Sequence, residues 1–538
     1  MIRYRSQKQL TLNGFASPFR TTLDPENRWV KLADLIPWDE LARAYHKSLV
    51  SSTQGRPAKD ARLVIGAVII KHKLCLSDEE AVQQIQENPY LQFFVRFSSF
   101  QLAPPFAPSL FVEIRKRMGQ TVFEDFHEAI IGAIAKKKPA EKPGKDRRQP
   151  PGPNNSSSGG CDVELASSQD AASVSTEAEQ MAINRGKLIL DATVADQAIR
   201  YPTDLSLLNE AREFSEKIID ILHPHTALPK KPRTYRQKAR KAFLAIAKQR
   251  RPSRNMIRRG IKQQLQYLRR NLGHIEALME TWPVGTAIPL PQWLMHRYWV
   301  MQHLFDQQWT MYHNKSKRCD DRIVSISQPH VRPIVRGKQN KPVEFGAKLS
   351  VSLTDEGIAR VDHLRWDAFH EGHDLTSQVE AYHRRYGYYP EVVLGDPLYG
   401  SRDNRCYLKK HNIRFAGKPL GRPAVITDEN RQEMERLKAQ RREEYRQRIP
   451  IEGKFGQGKN GYRLNYIRAK LASTSSAWIN SIFLVMNLLI LVRIFFFIFE
   501  SCRYWFERLL KATPCVRRNG CFSPRQVLPQ RCPVSMAW

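Results

Sequence analysis

The sequence predicts an α/β fold, a mixed sheet flanked by helices, joined to an all-helical N-terminal region. Residues 187–194 (KLILDATV) and 391–396 (EVVLGD) are apolar runs of strand length, the first with Asp191 at its centre and the second ending in Asp396. Between 322 and 366 the chain reads RIVSI, VEFGAKLSVSL and IARVDHLRW, the last two joined by the turn Thr354-Asp355-Glu356-Gly357. Helical stretches separate these runs, and strands alternating with helices imply a mixed sheet covered by helices.

The N-terminal elements come first. Residues 61–74 are apolar-rich, and Ser77 with Glu80 three residues on forms a capping-box pattern that opens a second helix, ended by Asn88-Pro89. A third helix is predicted over 109–135, carrying Arg115, Lys116 and Arg117. A short helix, a turn and another helix suit a DNA-binding helix-turn-helix and an ordinary helical bundle alike. Residues 1–135 are read as an N-terminal helical, DNA-binding domain. Residues 136–182, rich in Pro, Gly, Ser and charge and including NNSSSGG, read as a disordered linker.

Order resumes with the strand at 187–194. A second short strand is predicted over 198–201; Pro202-Thr203 then turns the chain and Asp204 caps a helix over 205–222. From 230 to 270 there are 16 Lys or Arg and no Asp or Glu, with Phe243, Leu244, Ile246, Ile257, Ile261, Leu265 and Leu268 at helical spacing. This block lies in an insertion at about 205–321 and reads as a helical grip on a DNA backbone. Helices follow over 375–386 and 428–448, and an apolar one over 477–499. Residues 183–500 thus form the α/β domain, and 501–538 read as an irregular tail.

Composition narrows the partner. The 538 residues carry a net charge of +33, which favours a polyanion: nucleic acid or an anionic membrane surface. At 41% hydrophobic with ten Trp, the chain is not wholly disordered. Its eight cysteines are scattered, without a C-x-x-C pair or zinc-finger spacing, and the first residues lack the apolar core of a signal peptide. Free thiols in a cytoplasmic, nucleoid-associated protein are expected. Residues 479–499 are long enough to span a bilayer. They contain Asn480, Asn487 and Arg493, so a helix buried in a domain is the favoured reading and no stable membrane partner is expected.

Three acids from separate places carry the chemistry. Asp191 lies among apolar neighbours inside a strand, where a carboxylate is expensive unless paired, and a metal ion is a natural partner. Asp396 ends its strand, at the kind of position where α/β sites assemble. Glu452 sits among Arg446, Arg448, Lys454 and Lys459. Singly, each reads as well as a hydrogen-bonder, a cap or a salt-bridge partner. Together, among cations, they suit two Mg²⁺ ions acting on a phosphodiester, with Mn²⁺ as a substitute.

Tyr445, Arg448, Glu452 and Lys459 match the Y-x2-R-x3-E-x6-K signature, and the chain resembles bacterial insertion-sequence transposases of the DDE type. The stretches LILDAT and VVLGDPLYGS look like that family's first and second acid regions. The apolar helix and Pro108-Ser109-Leu110-Phe111 are also similar. The resemblance implies a ribonuclease-H-like sheet, interrupted here by the basic insertion. It implies Asp191, Asp396 and Glu452 as catalytic, metal-binding residues, and Tyr445, Arg448 and Lys459 as DNA contacts. The implied activity is cleavage at the element's ends and joining of the 3′-hydroxyls to target DNA, by a homo-oligomer assembled on double-stranded DNA.

At 100° per residue the four signature positions fall within about 60° on one helix face. Pro450, Gly453, Gly456 and Gly458 weaken such a helix, which allows a restart at Pro450. The alternatives are a non-catalytic DNA-binding protein, an inactive transposase remnant, or a membrane-anchored basic protein.

Overall fold

A computed structural model describes residue 15 and residues 22–49, 57–137, 184–226, 228–282, 285–335, 342–422 and 427–512, with side chains to 493. The chain forms two compact units, Met1–Leu491 and Val492–Trp538, the second described only as helical backbone over 492–512. Most of the expected linker, 138–183, and the tail from 513 lie outside the described residues.

Seven helices come first: α1 (Arg28–Leu35), α2 (Trp38–Lys47), α3 (Ala61–Lys73), α4 (Asp78–Glu87), α5 (Pro89–Phe94), α6 (Leu110–Arg117) and α7 (Gln120–Lys137). The Ser77–Glu80 capping box at α4 is present in both directions, and Asn88 ends α4 while capping α5. The single helix expected over 109–135 is two, because the chain breaks at Met118-Gly119. Arg115 turns inward. Its guanidinium holds both oxygens of Asp78, at 2.9 and 2.7 Å, and lies 5.2 Å from the Trp478 ring. Lys71 shares Asp78 at 3.3 Å and stacks 3.8 Å over the same ring; burial pulls its amine down to about 8.

The sheet begins with β1 (Lys187–Asp196). Four helices follow before the next strand: α8 (Asp204–Leu222), α9 (Arg236–Ala247), α10 (Arg254–Glu280) and α11 (Gln292–His313). Three of them share a core, with Leu208 and Ile218 of α8 against Leu268 and Ile275 of α10 and Met301 and Leu304 of α11. The strand expected over 198–201 is absent, because its backbone is a loop after the isolated bridge between Gln197 and Ile467. Thr203, not Asp204, caps α8; the Asp204 carboxylate instead takes Arg322 at 2.5 Å and Gln308 at 2.9 Å.

The sheet continues with β2 (Arg332–Val335), β3 (Val343–Leu353) and β4 (Ala359–Arg365), then α12 (Leu375–Tyr386), β5 (Val392–Leu394), α13 (Arg402–Lys410) and β6 (Arg414–Ala416). RIVSI is irregular rather than a strand; the short strand lies later, at β2. The sheet order is β2–β3–β1–β5–β6, with β4 also on β3; β3 runs antiparallel to β1, and β5 and β6 run parallel to it. Gly346 is required where β3 crosses β1, since a Cβ there would stand 1.9 Å from the Ala195 carbonyl oxygen.

Two long helices close the chain: α14 (Arg431–Gly461) and α15 (Ala472–Ala512). The helix α14 passes through Pro450 without restarting, anchored beyond it by buried Ile451, Phe455 and Gly458. Residues 501–512, expected in an irregular tail, are helical. Up to Leu491, α15 is a core helix whose polar residues are satisfied by protein. Asn487 Nδ2 donates to Ala359 O at 2.6 Å, its Oδ1 accepts from Ala359 N at 3.0 Å, and Nδ2 lies 3.2 Å from His127 Nδ1. One side-chain amide thus pairs with the edge of β4 as a further strand would.

Candidate active site

The parallel register Leu188↔Val393, Ile189↔Leu394 carries Asp191 and Asp396 to the same level. Each stands two residues past the last β1–β5 pair, where the two strands part. That is the carboxyl end of parallel neighbours, with antiparallel β3 on the other side, a position where a crevice opens. The break is enforced locally: Pro397 starts a 3-10 turn over Pro397–Tyr399, and the Tyr399 N–H donates to Asp396 O at 2.9 Å.

Asp191 Oδ1 accepts from Ala192 N–H at 2.8 Å, and Arg448 Nη1 lies 3.8 Å from Oδ2. Burial pushes this carboxyl up to about 6; the Ala192 N–H and Arg448 pull it down, while Glu371 and Asp396 push it further up. Arg448 Nη2 donates to Glu452 Oε1 at 2.8 Å, one turn along α14. The guanidinium therefore stands between Asp191 and Glu452. Tyr445 is 61% exposed, with Arg448 5.6 Å from its ring centre.

A cleft of about 390 Å³ opens beside these groups, lined by Asp396, Lys418, Arg441, Glu444, Tyr445 and Arg448 among others. Of the residues singled out in the sequence, Asp396, Tyr445 and Arg448 face this cleft, and Arg448 joins Asp191 to Glu452. Lys459 lies two turns beyond Glu452, half-buried and outside the cleft lining. Among the described residues no three His, Cys, Asp or Glu side chains are grouped to hold a metal ion as they stand.

A fourth acid was not legible in the sequence. Glu371 opens a 3-10 turn over Glu371–Asp374 and is paired with Lys348 of β3 at 2.8 Å. The next residue, Gly372, is packed so closely that a Cβ would stand 2.5 Å from Leu398 O. Asn404 ties the two turns together, donating to Gly372 O at 2.7 Å and Tyr399 O at 2.9 Å. Nothing in the run HEGHD distinguishes Glu371 from a surface loop acid; sheet closure alone brings it near Asp191.

The donor chemistry suits a hard divalent cation. All candidate ligands are carboxylate oxygens, and Asp191 is a largely buried carboxylate raised chiefly by that burial, with Glu371 and Asp396 as further negative neighbours.

Residues 18–117 match a transposase domain family (DUF772), and residues 393–489 match the transposase DDE domain family. The second match contains Asp396, Tyr445, Arg448, Glu452 and Lys459; Asp191 lies before it. The chain is 38% identical over 122 residues to an uncharacterised protein, ORF8 in the nfe locus of Rhizobium meliloti. That match covers 21% of this chain and 56% of the relative, so the chain spans little more than half of it. No solved structure matches.

Proposed function

The two domain matches support an insertion-sequence transposase of the DDE type, and from that premise we propose that the chain cleaves the ends of its element and joins them to target DNA. The observation that carries this reading is the register that sets Asp191 beside Asp396, with Glu452 reached through Arg448. The sheet order, with β5 and β6 parallel to β1 and a meander on its other side, supports a ribonuclease-H-like catalytic domain over 183–500. The four helices between β1 and β2 are its basic insertion, and residues 1–135 the N-terminal DNA-binding domain.

In this reading Asp191, Asp396 and Glu452 would hold two Mg²⁺ ions, which would supply Lewis-acid activation of the attacking oxygen and charge stabilisation of the leaving one. The Ala192 N–H fixes one oxygen of Asp191 and leaves the other turned toward Arg448. Arg448 has two roles: counter-charge to Asp191 and Glu452 in the DNA-free protein, and a phosphate contact with Tyr445 and Lys459 when the element end is bound. Water first hydrolyses a phosphodiester at the end, leaving a 3′-hydroxyl and a 5′-phosphate. That hydroxyl then attacks a target phosphodiester and displaces a target 3′-hydroxyl. Assembly as a homo-oligomer on DNA belongs to the same proposal.

One observation favours a second reading, a DNA-binding protein without catalysis: Arg448 occupies the space between two of the three acids. One experiment separates them. Purified protein is given Mg²⁺ or Mn²⁺ and duplexes carrying the DNA that flanks the gene. Strand cleavage by the parent, lost in Asp191→Ala, Asp396→Ala and Glu452→Ala separately, is expected. Wild-type rates in any one variant sink the triad, and salt-dependent binding without cleavage by the parent supports the second reading.

A further inference from the structure

The first two-thirds of α14 has no core. No residue from 431 to 450 is buried. Most helical stability in proteins comes from packing one face against a core, and this stretch buries no such face. What it presents instead is one side of a groove of about 900 Å³, in which Lys418 is the one other lining residue among those described. This groove shares Lys418, Arg441 and Tyr445 with the cleft that holds Asp396, so the two are continuous. The lining positions of α14, from Arg431 to Ile449, fall within about 140° on one face, and Glu452 falls on that same face.

The lining is cationic and apolar together. Lys418, Arg431, Lys438, Arg441, Arg442 and Arg446 face one acid, Glu435. Arg431 and Arg446 have acids of their own, Asp428 in the turn before the helix and Glu443 on it, whereas Lys438, Arg441 and Arg442 make no ion pair among the described residues. Between these cations lie Met434, Tyr445 and Ile449, the last two among the exposed large apolar side chains. The basic helices α9 and α10 differ. There Tyr267, with Trp309 and Tyr312 of α11, is half-buried with Arg270, Arg269 and Arg258 over the three rings, whereas Tyr445, with Arg448 5.6 Å from its ring centre, stays 61% exposed. A duplex presents phosphates and keeps its base faces stacked, which suits α9 and α10. An unpaired strand presents phosphates and open base faces together, which suits the α14 groove.

We propose that the groove along α14 is the path of a single DNA strand leading to the acid cleft, with phosphates on Lys438, Arg441 and Arg442 and unstacked bases against Met434, Tyr445 and Ile449. The proposal rests on the DNA reading above and adds a strand-specific site to it.

The test uses the full chain and three fluorescein-labelled probes of mixed sequence: a blunt 25-base-pair duplex, and the same duplex with a five-nucleotide 3′ or 5′ extension. Anisotropy at 150 mM KCl is expected to show one extended probe bound about tenfold more tightly than the blunt one. Lys438→Ala/Arg441→Ala/Arg442→Ala should lose that preference and bind the extended and blunt probes alike. Alanine sustains an exposed helix, and far-ultraviolet circular dichroism checks it. Independently, 5-iodouracil in the extension should photocrosslink to the peptide 431–449 of the parent. A parent without preference, a triple variant that keeps it, or crosslinks confined to 236–270 overturns the groove. Displacement of the extension by polyglutamate as readily as by an oligonucleotide also overturns it and points to an acidic protein. If the parent binds no probe, the groove and the DNA reading fall together. If it prefers the extension but cleaves nothing, the groove stands and only catalysis fails.

Discussion

Arg448 reaches back from α14 to Asp191 on β1, its Nη1 3.8 Å from Oδ2, while its Nη2 holds Glu452 at 2.8 Å. One guanidinium thus serves as counter-charge to two acids that the chain separates by more than 250 residues. Asp191, held at about 6 by burial, is the group whose charge this arrangement controls.

Replacing Arg448 with Met removes a favourable charge, so the Asp191 pKa should rise above about 6. Asp396→Asn removes an unfavourable one and should lower it. Shifts of about one unit in opposite directions are expected, read by carbon-13 NMR of labelled aspartate carboxyls. Equal or absent shifts would show that the two side chains do not share a field with Asp191.

Gly372→Ala places a methyl group 2.5 Å from the Leu398 carbonyl oxygen, a backbone atom in the turn that follows Asp396. The turn must move, and displacements of about 1 Å at a reacting centre lower rates up to a hundredfold. Cleavage is expected to fall at least about tenfold with duplex binding retained. Unchanged cleavage would mean that the contact does not set the position of Asp396.

Asn487→Leu makes α15 more apolar, yet should destabilise the protein by about 2–4 kcal/mol, since the Ala359 N–H and C=O lose their shared partner. Calorimetry or chemical denaturation measures this. His127, buried beside Asn487 and pulled down to about 3 by burial and then by Arg360 and Arg385, gives the same region a pH dependence. Below about 6.5 the unfolded chain binds a proton that the folded chain refuses until about 3. Stability is therefore lost as pH falls through that window, at up to about 1.4 kcal/mol per unit. His127→Gln should flatten this acid limb. His72, also buried and depressed, leaves a residual slope. A limb unchanged in His127→Gln would place the dependence elsewhere.

Arg115→Met should lower the melting temperature by several degrees and leave the salt dependence of DNA binding unchanged, because this side chain is engaged by Asp78 and Trp478. A reduced salt slope with an unchanged melting temperature would instead assign Arg115 to DNA.

Features that depend on near neighbours were readable from residues alone. The Ser77–Glu80 box, α12 at Leu375–Tyr386, β3 and the two acid-bearing strands follow from capping, periodicity and β-branched runs, which act over a few residues. Local rules also misled. The Met118-Gly119 break went unseen, and Pro450 did not stop α14, because buried Ile451, Phe455 and Gly458 hold the helix beyond it. Burial of Arg115 and Lys71 around Trp478 was equally invisible, since the ring that receives them comes more than 350 residues later.

The sequence alone specified a strongly basic α/β chain with two acids on strands, a third in a cationic helix, and an apolar helix interrupted by Asn480, Asn487 and Arg493. Those are properties of composition and short-range pattern. The level pairing of Asp191 with Asp396, the approach of Glu371, and the turning of Arg448 to Asp191 required the sheet to close. Strand register and helix packing are set by burial summed over the whole core, and no local spacing encodes them.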